Sequence, residues 1–463
     1  MTATVELPLW ALLLLVAFAA VTVASHFLFP SVRWFLRRRA EALVARLNAR
    51  LARPIEPFRL AARTDTIARV VHDPEVARAI AEHARAAGVP EDVAFETARR
   101  YAREIVPGFS AILYFGVAAR MARWLSRTLY RVRVSGEAAA MEGLDPEATV
   151  VFVMNHRSNM DYVLVTWLAA RRTALAYAVG EWARRWPLRP LIRAMGGFFV
   201  RRRDLNPLYR KVLARYVHHA ARAGVTQAVF PEGRLSRDGA LGEPKLGILS
   251  YLVDAWTPEG RDIVFVPVAL NYERVLEDRQ LVAAAGVDRA RFRLRWWQVA
   301  RHLLRHLQLR LTGRFERFGY AAVAFGEPLA LSAFLADRPA DPTAALADAL
   351  MDRIAARLPV LPVALACAAL AEGADTVDAV AAHLAARADA LAAAGHPLHH
   401  ASRDSRAVAI TALRLLEVRR ILRLEADRIH LTDRHALIPF YASTLPAQKS
   451  YETESFTERT EQV

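Results

Sequence analysis

"VMNHRSNMDYVLV", residues Val153–Val165, has apolar ends and a polar middle. One imidazole, His156, is followed five residues later by one carboxylate, Asp161. On a regular helix, residues three and four apart face each other, and residues five apart do not. The spacing therefore places His156 in a turn before a helix, with Asp161 in the first helical turn and reaching back. A histidine acts as a general base near neutral pH when a carboxylate fixes its tautomer. Arg157 and Ser158 add a cation and a hydroxyl at the same point. On His156 and Asp161 alone, a buried histidine with a helix-capping partner is the simpler reading.

The texture around this stretch predicts an α/β fold, a mixed sheet flanked by helices. Short runs such as "TVVFVMN", "TQAVFPEG", "DIVFVPVALNY" and "YAAVAFGEP" are β-branched or aromatic and end in polar, Gly or Pro residues. These read as strands separated by helical stretches. The expected organisation is a transmembrane anchor over 1–30 and a helical region over 31–131. An α/β domain follows over 132–340, then a helical region over 341–444 and a disordered tail over 445–463. Within the first helical region, Asp73–Pro74 opens a helix and Gly88–Val89–Pro90 closes it.

The chain has 463 residues, 54% of them hydrophobic, which allows more than one core. Lys and Arg total 63 against 47 Asp and Glu, a formal net charge of +16. Such a chain favours anionic partners. No recognisable nucleic-acid motif accompanies the charge, so the expectation is a membrane or phosphate partner and no nucleic acid. The one cysteine, Cys367, lies in an apolar run and rules out a disulfide within the chain.

Residues 7–29, "LPLWALLLLVAFAAVTVASHFLF", would span about 34 Å as a helix, enough for a bilayer core. Arg33, Arg37, Arg38 and Arg39 follow it, and no Lys or Arg precedes it. The positive-inside rule places everything from Arg33 onward in the cytosol, with a single pass through the cytoplasmic membrane. A second stretch, residues 291–314, mixes Arg with Trp and Leu and suits an anionic leaflet. His302 and His306 lie four apart, but no third ligand accompanies them, and no metal site is expected.

Three further blocks sit at strand ends. "MGGFFVRRR", Met195–Arg203, combines Gly197 and its neighbour with an apolar wall and three arginines suited to phosphate. Alone it reads equally well as a solvated basic turn. "VFPEGRLSRDG", Val229–Gly239, presents Glu232, Gly233, Arg234, Ser236 and Arg237, with Lys245 downstream. Such a turn offers backbone N–H groups and guanidinium groups to an anion, without P-loop spacing. In "VFVPVALNYERVLED", Pro267 predicts an edge strand or a local break.

Together the four blocks resemble the motif set of the glycerolipid acyltransferase superfamily, led by H-x4-D. "NHRSNMDYVLV", "GGFFVRR" and "VPVALNYERVLE" are most similar to its bacterial membrane-bound glycerol-3-phosphate acyltransferase branch. The resemblance implies that His156 takes a proton from a glycerol hydroxyl attacking an acyl thioester, with Asp161 orienting it. The acyl group would pass directly, with no acyl-enzyme. Arg201, Arg202, Ser236 and Arg237 would hold the glycerol phosphate. Arg157, Ser158, Gly197, Arg234 and Lys245 would complete the substrate site, with Glu232, Gly233 and Pro267 shaping it. One departure stands out. Leu235 occupies a place where the pattern has arginine, and Arg234 comes one residue early.

The expected reaction is acyl transfer from acyl-CoA or acyl-ACP to the sn-1 hydroxyl of glycerol 3-phosphate, with no bound cofactor. Acyl carrier protein is a possible partner. The "FPEG" of the third block leans toward lysophosphatidic acid as acceptor, which is the alternative. A non-catalytic lipid-binding scaffold is the alternative of another class.

Overall fold

The computed structural model describes residues 8–180, 188–201, 205–285, 317–400 and 404–446. Residues 202–204, 286–316 and 447–463 lie outside it, and with them Arg202, His302, His306, the 291–314 stretch and nearly all of the expected tail. Contacts divide the chain into two units: residues 1–55 with 171–173, and the remainder.

The first unit is built on one helix, Leu9–Asn48. Leu9, Trp10, Leu13 and Phe18 stand exposed at its start. Among the described residues, no helix is long and apolar enough to cross a membrane. The side chains of residues 20, 21 and 23–29, within the expected anchor, are outside that description.

The second unit holds an eight-stranded mixed sheet. Its strands are β1 (Arg131–Ser135), β2 (Thr149–Met154), β3 (Ala176–Val179) and β4 (Gly197–Phe199). They are followed by β5 (Gln227–Val229), β6 (Ile263–Tyr272), β7 (Tyr320–Phe325) and β8 (Leu329–Ala330). The order is β1-β7-β6-β2-β5-β3-β4, with β8 also on β6. The pairs β1–β7, β6–β2, β2–β5, β5–β3 and β3–β4 are parallel, and β7 and β8 run antiparallel to β6.

All six residues of β2 are buried, which is why the strand reads as a continuous apolar run. Val150, Phe152 and Met154 face one core, shared with Leu164 and Leu168 of the helix Met160–Ala169 and with the C-terminal helices. Val151 and Val153 face the other, shared with Val212 of the helix Pro207–Arg222 and with Ile67, Val70 and Ile80 from upstream. The helices Arg63–Val71, Pro74–Ala87 and Glu91–Ile105, with Pro342–Ala356 of the C-terminal region, cover one face of the sheet; Ala119–Leu129 and the later C-terminal helices cover the other.

Local signals hold where they rest on capping chemistry. The helix Pro74–Ala87 starts at Asp73, whose carboxylate accepts from Glu75 N, and ends at Gly88 with φ +63°. The C-terminal region departs from the all-helical expectation: Leu422–Glu425 and Arg428–Leu431 form an antiparallel hairpin. Its turn carries Ala426 at φ +55°.

Pro267 corrects the expectation of an edge strand. β6 lies inside the sheet, between β2 and β7. Pro267 stays in register with Val153 on the β2 side, while its carbonyl accepts from Gly326 N on the other. On that other side, pairing with β8 ends at Phe265 and pairing with β7 begins at Val268. The missing N–H thus falls in the gap between two partners, so the local-break reading holds.

After β5 the chain crosses to the opposite side of β2 to form β6. Ligand sites in open α/β sheets lie at the carboxyl ends of strands beside such a reversal. His156 follows β2 there, and Phe230–Gly233 follows β5.

Candidate active site

His156 and Asp161 meet. The helix Met160–Ala169 carries Asp161 in its first turn, and His156 Nδ1 lies 2.9 Å from Asp161 Oδ2. The same oxygen accepts the backbone N–H groups of Arg157 (2.7 Å) and Ser158 (3.0 Å). Asp161 Oδ1 accepts the Tyr272 hydroxyl at 2.7 Å. A carboxylate with four donors is held in one orientation. With Asp161 as acceptor, Nδ1 carries the hydrogen and Nε2 keeps its lone pair. His156 packs on Phe230, with ring centroids 4.2 Å apart, and meets Tyr162 edge-on at 5.3 Å.

The turn bearing His156 is fixed on three sides. Asn155 makes two bonds with the Leu270 backbone, locking the turn to β6. Glu232 accepts His156 N at 2.8 Å through Oε1 and Gly242 N at 2.9 Å through Oε2. Glu277 accepts the Ser158 hydroxyl at 2.7 Å and the Asn159 side-chain amide at 3.0 Å. Burial raises the carboxyl pKa of both Glu232 and Glu277, although each collects several hydrogen bonds that oppose the shift. Burial, and then Asp161 beside it, push the Tyr272 phenol well above its usual value. Tyr272 is therefore a donor, not a proton source.

Several expected substrate contacts point inward. The Arg157 guanidinium is 2% exposed and donates to the carbonyls of Gly239 and Ala240. It struts the third block from below, and burial lowers its pKa. The Ser158 hydroxyl is held by Glu277. Ser236 Oγ donates to Ala240 O at 2.8 Å and accepts Gly239 N, while its backbone N–H donates to His156 O. Its hydroxyl shapes the loop. A Cβ on Gly197 would sit 2.5 Å from Ile192 Cγ2, so this glycine serves packing. Arg201 makes a two-pronged bond to Glu104, at 2.9 and 2.7 Å, and stacks against Tyr101 and Tyr209.

Among the described residues, the expected cations that are exposed belong to the third block. Arg234 and Lys245 are exposed, with no side-chain partner among the described residues, and Arg237 makes one 3.3 Å bond to Ala284 O. Gly233 has φ +66°, and its missing Cβ would lie 3.4 Å from the Lys245 stem.

Beside the turn lies an apolar cavity of about 250 Å³. Asn159, Tyr162 and Val163 line it from the His156 side, and Tyr177, Val179 and Ile192 form its far wall. The same Asn159 is gripped by Glu277, so one carboxylate links the cavity wall to the turn.

The C-terminal helices support this arrangement from behind. Asp278, next to Glu277, accepts the Tyr441 hydroxyl and pairs with the buried Arg419. The Tyr441 hydroxyl also accepts Val275 N at 3.1 Å. Sequence reasoning missed Asn155, Tyr272, Glu277 and Tyr441, because their partners lie far away along the chain. The polar run "NYERVLED", which begins in the last two residues of β6, was the available signal for Tyr272 and Glu277. Among the described residues, no group of three His, Cys, Asp or Glu is placed to hold a metal.

Residues 131–271 match the Acyltransferase family, and residues 308–442 match the Glycerol-3-phosphate acyltransferase C-terminal region. Proteins named glycerol-3-phosphate acyltransferase from Pseudomonas putida and Pseudomonas entomophila are each 31% identical over 279 residues. That alignment covers 59% of this chain and 32% of either relative. The chain thus spans about a third of the length of these curated relatives. One from Pseudomonas syringae is 29% identical over 279 residues. A crystal structure of the 1-acyl-sn-glycerophosphate acyltransferase from Thermotoga maritima is 19% identical, with TM-score 0.32 over 52% of this chain and 75% of that one. The resemblance carried by the four blocks is borne out at the level of domains: an acyltransferase domain followed by a glycerol-3-phosphate acyltransferase C-terminal region.

Proposed function

We propose that this chain, with its acyltransferase domain and glycerol-3-phosphate acyltransferase C-terminal region, moves a fatty acyl group from an acyl-CoA or acyl-ACP thioester to the sn-1 hydroxyl of glycerol 3-phosphate. The product is lysophosphatidic acid, for phospholipid synthesis. The observation that carries the reading is the His156–Asp161 pair set between an apolar cavity and a cationic loop. His156 Nε2 takes the hydroxyl proton as the glycerol oxygen attacks the thioester carbonyl. The C–O bond forms, the C–S bond breaks, and the proton passes to the departing thiolate. Asp161 holds the imidazole in the tautomer that accepts and stabilises the cation that forms.

The cavity takes the acyl chain and excludes water from it. Arg234 and Lys245, with Arg237, meet the phosphate, and Arg234 compensates for Leu235. Arg201, paired with Glu104, acts as a support for the second block.

The helix beginning at Leu9 is the membrane anchor in this reading, with residues from Arg33 onward on the cytosolic side of the inner membrane. Its exposed Leu, Trp and Phe side chains support that placement.

Lysophosphatidic acid is the second acceptor to consider, because Phe230 of "FPEG" packs an apolar ring on His156. The test uses purified protein in detergent with a long-chain acyl thioester and either acceptor, for wild type and His156→Ala. Turnover of glycerol 3-phosphate that disappears in the variant is expected. Turnover of lysophosphatidic acid alone would move the reaction one step along. No turnover with either acceptor would favour a lipid-binding scaffold.

A further inference from the structure

The mouth of the apolar cavity has an outer surface that acyl transfer itself does not need. It is built by a π-helical segment, Ile112–Ala118, and the helix Ala119–Leu129 that continues it. Val117, Met121 and Trp124 line the cavity and are also 46%, 60% and 62% exposed. Spaced four and three residues apart, they form one ridge along the helix. Leu191 faces the cavity from the helix Leu188–Ala194 and is exposed as well. On one flank of the ridge lies the buried stripe of Ala122, Ser126 and Leu129. On the other lie Arg120, Arg123 and Arg127, all exposed. No acidic residue occurs between Glu104 and Glu137, while arginine occurs there at 120, 123, 127, 131 and 133.

We infer that this ridge seats the catalytic unit on an anionic phospholipid surface, so that the cavity opens into the leaflet. Large apolar side chains held in water beside a row of guanidinium groups suit an interface, with an acyl region below and phosphates above. The arginine stems lie along the apolar layer while their heads reach the phosphates. An acidic carrier protein would be met by the arginines alone and would leave the ridge unused. The stretch 291–314 is a different segment, so the inference does not depend on it. It deepens the acyl-transfer reading, which it needs only for the identity of the chain in the cavity.

The test places a polarity-sensitive maleimide fluorophore on Met121→Cys in the full-length protein. Cys367 is fully buried and does not compete for label. The control is Ala86→Cys, exposed on the helix Pro74–Ala87, which packs on the opposite face of the sheet. Each labelled protein is mixed with phosphatidylethanolamine–phosphatidylglycerol vesicles carrying a doxyl-acyl lipid, and with phosphatidylcholine vesicles carrying the same quencher. A blue shift and several-fold quenching at position 121, weak at 86 and smaller without anionic lipid, are expected. Quenching at 121 no greater than at 86, or unchanged when the anionic lipid is removed, would overturn the inference. The readout needs no turnover, so its failure is distinguishable from failure of the acyl-transfer reading.

Discussion

The hydroxyl of Tyr272 donates to Asp161 Oδ1 at 2.7 Å, while His156 Nδ1 occupies Oδ2 at 2.9 Å. One carboxylate is thereby held from both ends, by β6 on one side and by the turn after β2 on the other. Tyr272→Phe keeps the ring and leaves a buried oxygen one donor short, a loss of about 1–2 kcal/mol. If this is felt in the transition state, kcat falls about tenfold with little change in KM. Steady-state kinetics with glycerol 3-phosphate varied would check it. A change confined to KM would mean that Tyr272 touches substrate instead of positioning Asp161.

A support one step further back makes a similar prediction. Glu277 grips Ser158 and Asn159, and its neighbour Asp278 is held by Tyr441 and Arg419. Tyr441→Phe should lower kcat several-fold at unchanged KM for the acyl donor, and Glu277→Ala more severely. Comparing the two with Tyr441→Phe in a Glu277→Ala background measures their coupling. Strictly additive effects would show that the C-terminal helices do not act through the turn.

Arg201 provides a contrast between support and substrate contact. Its guanidinium is committed to Glu104, whose carboxylate is buried. Arg201→Ala should destabilise the protein by about 2 kcal/mol, read as a lower unfolding midpoint. Arg234→Ala and Lys245→Ala should leave stability within about 0.5 kcal/mol, as surface changes do. They should instead raise KM for glycerol 3-phosphate. The opposite pattern would return the phosphate to the second block.

Cavity dimensions predict selectivity. Val163 faces the apolar space beside Tyr162. Val163→Phe fills part of it and should cut kcat/KM for long acyl donors by about tenfold, since each lost methylene position is worth about 1–3 kcal/mol. Short donors should be spared. Competition between thioesters of different length reads this directly.

Glu273, the residue after β6, adds a pH-dependent element. Burial raises its carboxyl pKa from 4.5 to about 7, although Tyr320 N donates to it. A carboxyl whose folded pKa is raised binds more protons folded than unfolded. Its contribution to stability is complete below about 4.5 and is lost as pH rises through about 7. Glu273→Gln keeps the acceptor oxygen and removes the charge. It should raise the unfolding midpoint above pH 7 by an amount worth at most about 3 kcal/mol, and little near pH 5. An equal effect at both pH values would show that Glu273 does not titrate in this range.

The backbone of this reading was legible because it rests on local rules. Five-residue spacing put His156 before a helix and Asp161 within its first turn, since a helix cannot place such a pair on one face. Continuous apolar runs marked β2 and β6, which are covered on both faces. Asp73–Pro74 marked the start of one helix, and Gly88–Val89–Pro90 marked its end. The short strands β3 and β4 offered too few residues for any period to show.

What the sequence alone determined is the chemistry at each strand end: an imidazole with its carboxylate, arginine-rich turns, and the apolar segments that form the sheet. Only the tertiary structure decided which of those groups are available. Arg157, Ser158 and Glu232 look like ligands along the chain, yet each is spent on a partner brought from another strand end, and the Ser236 hydroxyl is spent within its own loop. Tyr272, Glu277 and Tyr441 look unremarkable along the chain, yet they hold the turn that carries His156. The reason is physical. A buried polar group must find a partner wherever the fold supplies one, and a partner more than a hundred residues away leaves no local pattern to read.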